Sequence, residues 1–172
     1  MPYIQNVQPK NILNMAKYNI KDRVDRYAAY RSLVNPRLMD ELQDKIQELL
    51  ITQKKYRDRD YSAKKLAEEL GTNTRYISAV VNVRFHMSYT SLVNKYRIEE
   101  AMTILTDRRY LTLNMSEISE LVGFNNRQSF YAAFFRVNGV TPRDYRIENM
   151  RKIVEAETAN YTRKEERNSR KK

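Results

Sequence analysis

The sequence has no cysteine and no tryptophan, and its 172 residues include one histidine, three glycines and four prolines. Without cysteine the chain forms no disulfide, thiolate metal site or cysteine nucleophile, and the lone His86 excludes any site that needs two imidazoles. No Asp/Glu cluster shows the convergence that a metal nuclease needs, so we predict no enzyme, metal or cofactor. Few glycines and prolines, and no long alternation of apolar and polar residues, predict an all-α fold.

Long apolar runs are also absent, since none approaches the roughly 20 residues of a membrane-spanning helix. The start MPYIQNVQPK lacks the apolar core of a signal peptide, so we expect a cytoplasmic protein without a membrane partner. Positive charge, in contrast, is abundant: 32 Lys and Arg against 21 Asp and Glu give a formal net charge of +11. Such an excess favours a polyanionic partner, of which nucleic acid is the commonest.

The stretch Leu113–Tyr145 predicts two short helices joined by a turn. Asn114 can cap the first helix, and Glu117, three residues later, can reach back to it as in a capping box. Gly123 supplies the positive φ that a helix-ending turn needs, and Asn125 can cap a second helix running to about residue 137. The pattern is that of a helix-turn-helix.

The same pattern occurs earlier in the chain, which makes an internal repeat. The offset is 52 residues before the turn and 53 after it, with these matches: Ser62 with Asn114, Leu66 with Ile118, Gly71 with Gly123, Ile77 with Phe130, and Val81 with Phe134. Two matches in constant register within a basic, helical chain are a much stronger signal than one. We therefore predict two helix-turn-helix subdomains.

Further helices are predicted around and between the repeats. An amphipathic helix is expected at Ile20–Val34, where packing on its own domain is favoured over pairing with a second copy. Asn35 and Pro36 can begin a helix that runs to about residue 52, and Ser88 can cap a long helix to about residue 106. The predicted segments are an N-terminal arm with the amphipathic helix (1–34), the first subdomain (35–87), a linker helix (88–107), the second subdomain (108–147) and a mobile basic tail (148–172).

The chain from about Pro36 to Arg146 resembles the DNA-binding region of AraC/XylS-type bacterial transcription regulators. The segments that carry the resemblance are ISELVGF, SFYAAFF and GVTPRDYR in the second unit and LVNKYRIEEAMTIL between the units. The resemblance implies sequence-specific control of transcription in the bacterial cytoplasm, at the nucleoid, with RNA polymerase as a further partner. Residues 1–34 are too few for the large effector-binding domain of many members, so a short stand-alone form is expected, as a monomer or weak dimer.

Base-facing and phosphate-facing residues follow from the same resemblance. The recognition helices would be Thr74–Asn82 and Asn126–Val137, and the residues expected to face the bases are Thr74, Arg75, Ser78, Ala79, Asn82, Arg127, Gln128, Tyr131 and Ala132. Arg127 suits guanine and Gln128 suits adenine, because their paired hydrogen-bonding groups match those base edges. Phosphate contacts are expected from Lys64, Lys65, Arg84, Lys95, Arg136 and Arg143.

The linker helix sets the expected geometry on DNA. About 18 residues span roughly 27 Å, comparable with the ~34 Å between major-groove openings on one face of the duplex. A monomer could then fill two adjacent grooves of an asymmetric site. Two other functions remain open: a DNA-architectural or recombination accessory factor, and a protein-binding module that acts on RNA polymerase or another regulator.

Overall fold

A computed structural model describes residues 29–169, with side chains up to residue 163. The predicted helix at 20–34 lies mostly outside these residues; of the part inside, residues 29–33 are helical and Val34 is a bend. No strand occurs within the described range, so the all-α prediction is confirmed there. The helices are α1 Pro36–Gln47, α2 Ala63–Glu69, α3 Thr74–Phe85, α4 Tyr89–Thr106, α5 Met115–Leu121, α6 Arg127–Asn138 and α7 Pro142–Ser169. A π-helix at Glu48–Thr52 follows α1, and 3-10 turns lie at Lys55–Arg57 and Arg108–Tyr110.

The described chain divides into two compact units. The first contains residues 29–46 and 63–89, and the second contains residues 47–62 and 90–169. The predicted boundaries differ from this division, because residues 47–62 were placed in the first subdomain. Each unit nevertheless holds one helix-turn-helix, α2–α3 in the first and α5–α6 in the second.

The first unit is built on α1, which begins as predicted. The side-chain oxygen of Asn35 accepts a 2.8 Å hydrogen bond from the backbone N–H of Leu38, and Pro36 opens the helix. The apolar stripes of the three helices are buried, and their larger buried members are Met39, Leu42, Ile46, Leu66, Ile77, Val80 and Val81. Spacings of three and four residues along α1 and α3 explain why these residues share one face.

The second unit is centred on α6, the helix that carries the phenylalanine cluster. Phe130 and Phe134 are fully buried and meet edge to face, with ring centroids 5.8 Å apart. They pack with Ile98 and Leu105 of α4 and with Ile118 of α5. The linker helix therefore forms one wall of this core, and its 18 residues match the predicted length.

Residues 47–62 join the second unit through a buried arginine on the linker helix. Arg97 is 9% exposed and donates hydrogen bonds to the backbone carbonyls of Tyr56, at 2.7 Å, and Asp58, at 3.0 Å. Its guanidinium also lies 5.5 Å from the centre of the Phe124 ring. A buried charge held by carbonyl oxygens and an aromatic ring fixes three chain segments together.

The C-terminal residues, which were predicted as a mobile basic tail, are helical through residue 169. One continuous helix, α7, runs from Pro142 to Ser169, so the predicted boundary at residue 148 falls inside a helix. Glu148 pairs with Lys152 at 3.2 Å, one turn along the same helix, and Arg108 outside the helix pairs with Glu157. Pairs of this kind support a helix whose outer half buries little apolar surface.

Candidate nucleic-acid interface

The second helix-turn-helix begins with the capping box that the sequence predicts. The side-chain oxygen of Asn114 accepts hydrogen bonds from the N–H groups of Ser116 and Glu117 at 2.8 and 3.1 Å. The Glu117 carboxylate in turn accepts the N–H of Asn114 at 2.6 Å. This reciprocal pair satisfies donors that a helix start leaves free, so the start of α5 is fixed locally.

The turn between α5 and α6 needs a glycine for two separate reasons. Gly123 has φ +93°, a conformation that disfavours any side chain. A Cβ at this position would also lie 2.5 Å from the carbonyl oxygen of Tyr56 and 2.7 Å from that of Arg57. The sequence predicted only the first reason, because the second depends on the docking of residues 47–62.

The cap of the recognition helix α6 is one residue later than predicted. Asn126, not Asn125, has the extended backbone of an N-cap, and its side chain accepts the N–H of Ser129 at 2.8 Å. The prediction of Asn125 was wrong, because either asparagine can cap a helix and local sequence does not distinguish them. Packing of the core selects Asn126. With Asn126 as cap, its carbonyl also accepts the N–H of Phe130, whose ring then points into the core.

The outer face of α6 carries the residues predicted to meet the bases. Arg127, Gln128 and Ala132 are exposed, and Tyr131 is half-buried against Phe130. The Arg127 guanidinium lies 4.9 Å from the centre of the Tyr131 ring, and one of its nitrogens is 3.3 Å from the tyrosine hydroxyl. Arg127 and Tyr131 therefore form a stacked pair, in which the aromatic ring supports the guanidinium group.

The corresponding helix of the first unit, α3, is capped by Asn73, whose side chain accepts the N–H of Tyr76 at 2.9 Å. Thr74 and Arg75 are exposed at its start, as expected for a surface that meets a ligand. Ser78 and Asn82 are half-buried, and the Asn82 amide donates to the Ser78 carbonyl at 2.8 Å. Thr74 and Arg75 are thus the exposed polar side chains among the predicted base-facing residues of this helix.

Ala79 was predicted to face the bases, and this is wrong. Its side chain is fully buried. Helical spacing alone places Ile77, Val80 and Val81 on one buried face, whereas α3, which packs against α2, also buries Ala79 and Val83. The buried arc of α3 is therefore wider than the periodicity suggested.

The predicted phosphate-binding residues differ in their surroundings. Arg84 pairs with Asp40, and Lys64 and Lys95 lie 3.9 Å from Glu68 and Glu99, respectively. Lys65, Arg136 and Arg143 are exposed. Within the part of the chain that the structure describes, the Arg136 and Arg143 guanidinium groups have no carboxylate partner, which favours them for phosphate contact.

Charge is distributed unequally between the helices of each pair. Neither α3 nor α6 contains an acidic residue, and each contains two arginines. The preceding helices α2 and α5 carry two glutamates each. A polyanion therefore meets net positive charge on the second helix of both units.

An ion-pair cluster anchors residues 54–57 behind the second helix-turn-helix. The Glu100 carboxylate accepts hydrogen bonds from Lys54 and from Arg57 Nε, both at 2.9 Å. Burial alone would raise the pKa of Glu100, but the hydrogen bonds from Arg57 and Lys54 outweigh it and lower the pKa below its ordinary 4.5. Burial, aided by the Glu100 charge, raises the pKa of Tyr56 to about 12. This cluster was not predicted, because it joins residues more than 40 positions apart.

His86 ends α3 in a left-handed backbone conformation. Its φ of +58° is left-handed, and it ends α3 as Gly139, at φ +72°, ends α6.

Among the described residues, no group of three or more Asp, Glu, His or Cys side chains is arranged to hold a metal. Within the same part of the chain, no helix combines the length and apolarity that crossing a membrane requires.

The two units, each with an asparagine-capped second helix, have the architecture of the double helix-turn-helix class. Residues 66–148 match a family model described as a helix-turn-helix domain. This match, over just under half of the chain, and the similarity to the solved domains described next agree with the AraC-type resemblance that the sequence indicated. A match to a helix-turn-helix domain agrees with the prediction of a non-enzymatic role for this region.

Individual relatives support this assignment. The chain is 27% identical over 81 residues to an uncharacterized HTH-type transcriptional regulator, YtdP, of Bacillus subtilis; the match covers 47% of the chain and 10% of that protein. The chain therefore spans about a tenth of the length of this curated relative. The C-terminal domain of the two-component response regulator yesN from Fusobacterium nucleatum is similar at a TM-score of 0.55 and 26% identity, covering 60% of this chain and 96% of that one. The C-terminal domain of AraT, a response regulator from Geobacillus stearothermophilus, is similar at a TM-score of 0.55 and 27% identity, covering 69% of this chain and 89% of that one.

Proposed function

We propose that the protein is a sequence-specific transcription regulator that places α3 and α6 in adjacent major grooves of an asymmetric DNA site. The observation that carries this proposal is the pair of helix-turn-helix units, each with an asparagine-capped second helix that has exposed arginine and no acidic residue. A recognition helix in the major groove needs such a face, because bases there present hydrogen-bonding edges and phosphates flank them.

The proposed roles follow from exposure and charge. Arg75 on α3 and Arg127 and Gln128 on α6 read bases, with Tyr131 holding Arg127 in place. Arg136 and Arg143 contact phosphates, as do the N–H groups at the starts of the capped helices. The two recognition helices differ in sequence, so the preferred site is not a palindrome.

Selection from a random duplex library with the purified full chain tests the proposal. The expected result is a non-palindromic consensus extending over about two helical turns, bound much more tightly than unrelated DNA at moderate salt. A palindromic consensus would contradict the asymmetric arrangement. Strong DNA bending without sequence preference would favour an architectural factor, and protein that ignores DNA but captures RNA polymerase would favour a protein-binding module.

The proposal also includes an oligomeric state. We expect a monomer or weak dimer in solution, because one chain carries both recognition helices. Sedimentation of the protein with its selected site measures the number of chains per duplex. Two chains on one asymmetric site would contradict the monomeric mode of binding.

A further inference from the structure

Phe135 is the exposed member of the phenylalanine cluster on α6. Phe130 and Phe134 are fully buried, whereas Phe135 is 54% exposed. Its backbone carbonyl accepts the N–H of Gly139 at 2.8 Å, which fixes the end of the helix, but its ring takes no part in the core of the second unit. The ring is therefore available to a ligand.

Helical geometry places this ring on the proposed reading face. Residues seven apart on an α-helix are separated by about 700°, so Phe135 lies within roughly 20° of Gln128 around the axis. Tyr131 and Ala132 lie between them on the same side. The rise of about 1.5 Å per residue puts Phe135 roughly 10 Å beyond Gln128, a distance of about three base steps.

The chemistry of the ring selects one feature of the major groove. A phenyl group has no hydrogen bond to offer, so covering a phosphate or a polar base edge would remove water without replacing its hydrogen bonds. The thymine C5-methyl is the apolar group that the major groove presents, and contact with a phenyl ring removes both apolar surfaces from water.

We infer that Phe135 is a specificity-determining residue that contacts a thymine C5-methyl group on the DNA-facing side of α6. This inference rests on the proposed function and adds to it a base preference, thymine, about three base pairs from the base that Gln128 reads. It also explains why an exposed aromatic residue stands among the polar side chains of a DNA-facing helix.

The experiment uses the selected DNA site and exchanges each thymine in turn for deoxyuridine, which lacks only the C5-methyl. The wild-type chain is expected to lose about three- to fivefold in affinity at one or two of these positions, as burial of a single methyl predicts. Phe135→Ala should bind the original site more weakly and show no further loss at those positions. Phe135→Leu, which keeps an apolar side chain, should retain part of the sensitivity.

Val137→Ala is the matched control, since Val137 is 58% exposed on the same helix and lies about 200° around the axis from Phe135. It should keep the wild-type response to deoxyuridine. A wild-type chain that tolerates every exchange, or a Phe135→Ala chain that keeps the same sensitive positions, would overturn the thymine contact and leave the proposed function standing. Failure of the selection to yield any consensus would overturn both, so the two failures are distinguishable.

Discussion

The Arg127 guanidinium lies 4.9 Å from the centre of the Tyr131 ring, one helical turn along α6. An arginine stacked on a ring loses fewer conformations when it binds a guanine edge than an arginine that moves freely in water. We expect Arg127→Ala to cost about 1 to 3 kcal/mol of specific binding. Tyr131→Ala should cost about 0.5 to 1 kcal/mol, because it removes the ring that supports Arg127 but leaves Arg127 itself to contact the base.

A double-mutant cycle, measured by equilibrium binding to the selected site, tests this coupling. The double variant should be little weaker than Arg127→Ala alone. Tyr161→Ala is a control for the loss of an exposed tyrosine, since Tyr161 lies on α7 and is 64% exposed. Strictly additive effects of the two substitutions would show that Tyr131 acts independently of Arg127.

Phosphate contacts have a different signature from base contacts. Arg136→Ala or Arg143→Ala should weaken binding to selected and unrelated DNA alike, and each should reduce the slope of log K against log salt by about 0.9. Arg37→Ala removes the same charge from a side chain that is 92% exposed on α1, and it should leave the slope unchanged. A loss confined to the selected sequence would assign these arginines to bases instead.

The turn glycine of the second unit should be much less replaceable than the glycine that ends α6. Gly139 has φ +72°, and a Cβ added there would meet nothing within 4 Å, so Gly139→Ala should cost about 1 to 2 kcal/mol, the strain of a left-handed alanine. Gly123→Ala should cost about 3 kcal/mol or more, because its Cβ also meets two backbone carbonyls. Urea unfolding of both variants measures the difference, and equal losses would mean that residues 56–57 move away freely.

The corrected cap of α6 gives a paired test on adjacent, identical residues. Asn126→Ala should lower the free energy of unfolding by about 1 kcal/mol, since it removes the acceptor for the Ser129 N–H. Asn125→Ala should be nearly neutral. Thermal and urea unfolding measure both, and a larger loss for Asn125 would restore the cap that the sequence suggested.

Acid should weaken the Glu100 cluster selectively. The pKa of Glu100 is lowered in the folded state, so its contribution to stability is present above the ordinary pKa of 4.5 and is lost as pH falls through the lower, folded-state value. Glu100→Gln should reduce the free energy of unfolding by about 1 to 3 kcal/mol at pH 7, since it replaces charged hydrogen bonds. This deficit should shrink on acidification below pH 4.5. Glu99→Gln, a neighbouring exposed glutamate, is the control, and a deficit independent of pH would contradict the ionic origin.

Features that depend on nearby residues could be predicted from the sequence. The Asn35 cap, the Asn114–Glu117 capping box and the 18-residue linker helix all depend on side chains within a turn of one another, and all are present. The buried Phe130 and Phe134 follow from helical spacing in the same way. These local signals were sufficient for the fold class and for the two helix-turn-helix units.

Features that depend on distant packing could not be predicted. Local periodicity cannot show that Arg97 binds the carbonyls of Tyr56 and Asp58, so it grouped residues 47–62 with the first unit and not with the second. The burial of Ala79 in the first unit is of the same kind. The helical conformation of residues 148–169 was not predicted either, although this segment lacks glycine and proline, and pairs such as Glu148 with Lys152 support continued helix.

The docking of residues 47–62 on the second unit also determines how this protein can be dissected. A fragment that starts at the linker helix would lack the backbone that lies over Gly123 and the carbonyls that hold Arg97. It would expose apolar surface and leave a buried guanidinium without acceptors, so it should fold poorly as an isolated module. The two repeats therefore share a sequence pattern, but the second cannot be transferred as a gene fragment by itself. A hybrid regulator made by exchanging the second repeat must also carry residues 47–62.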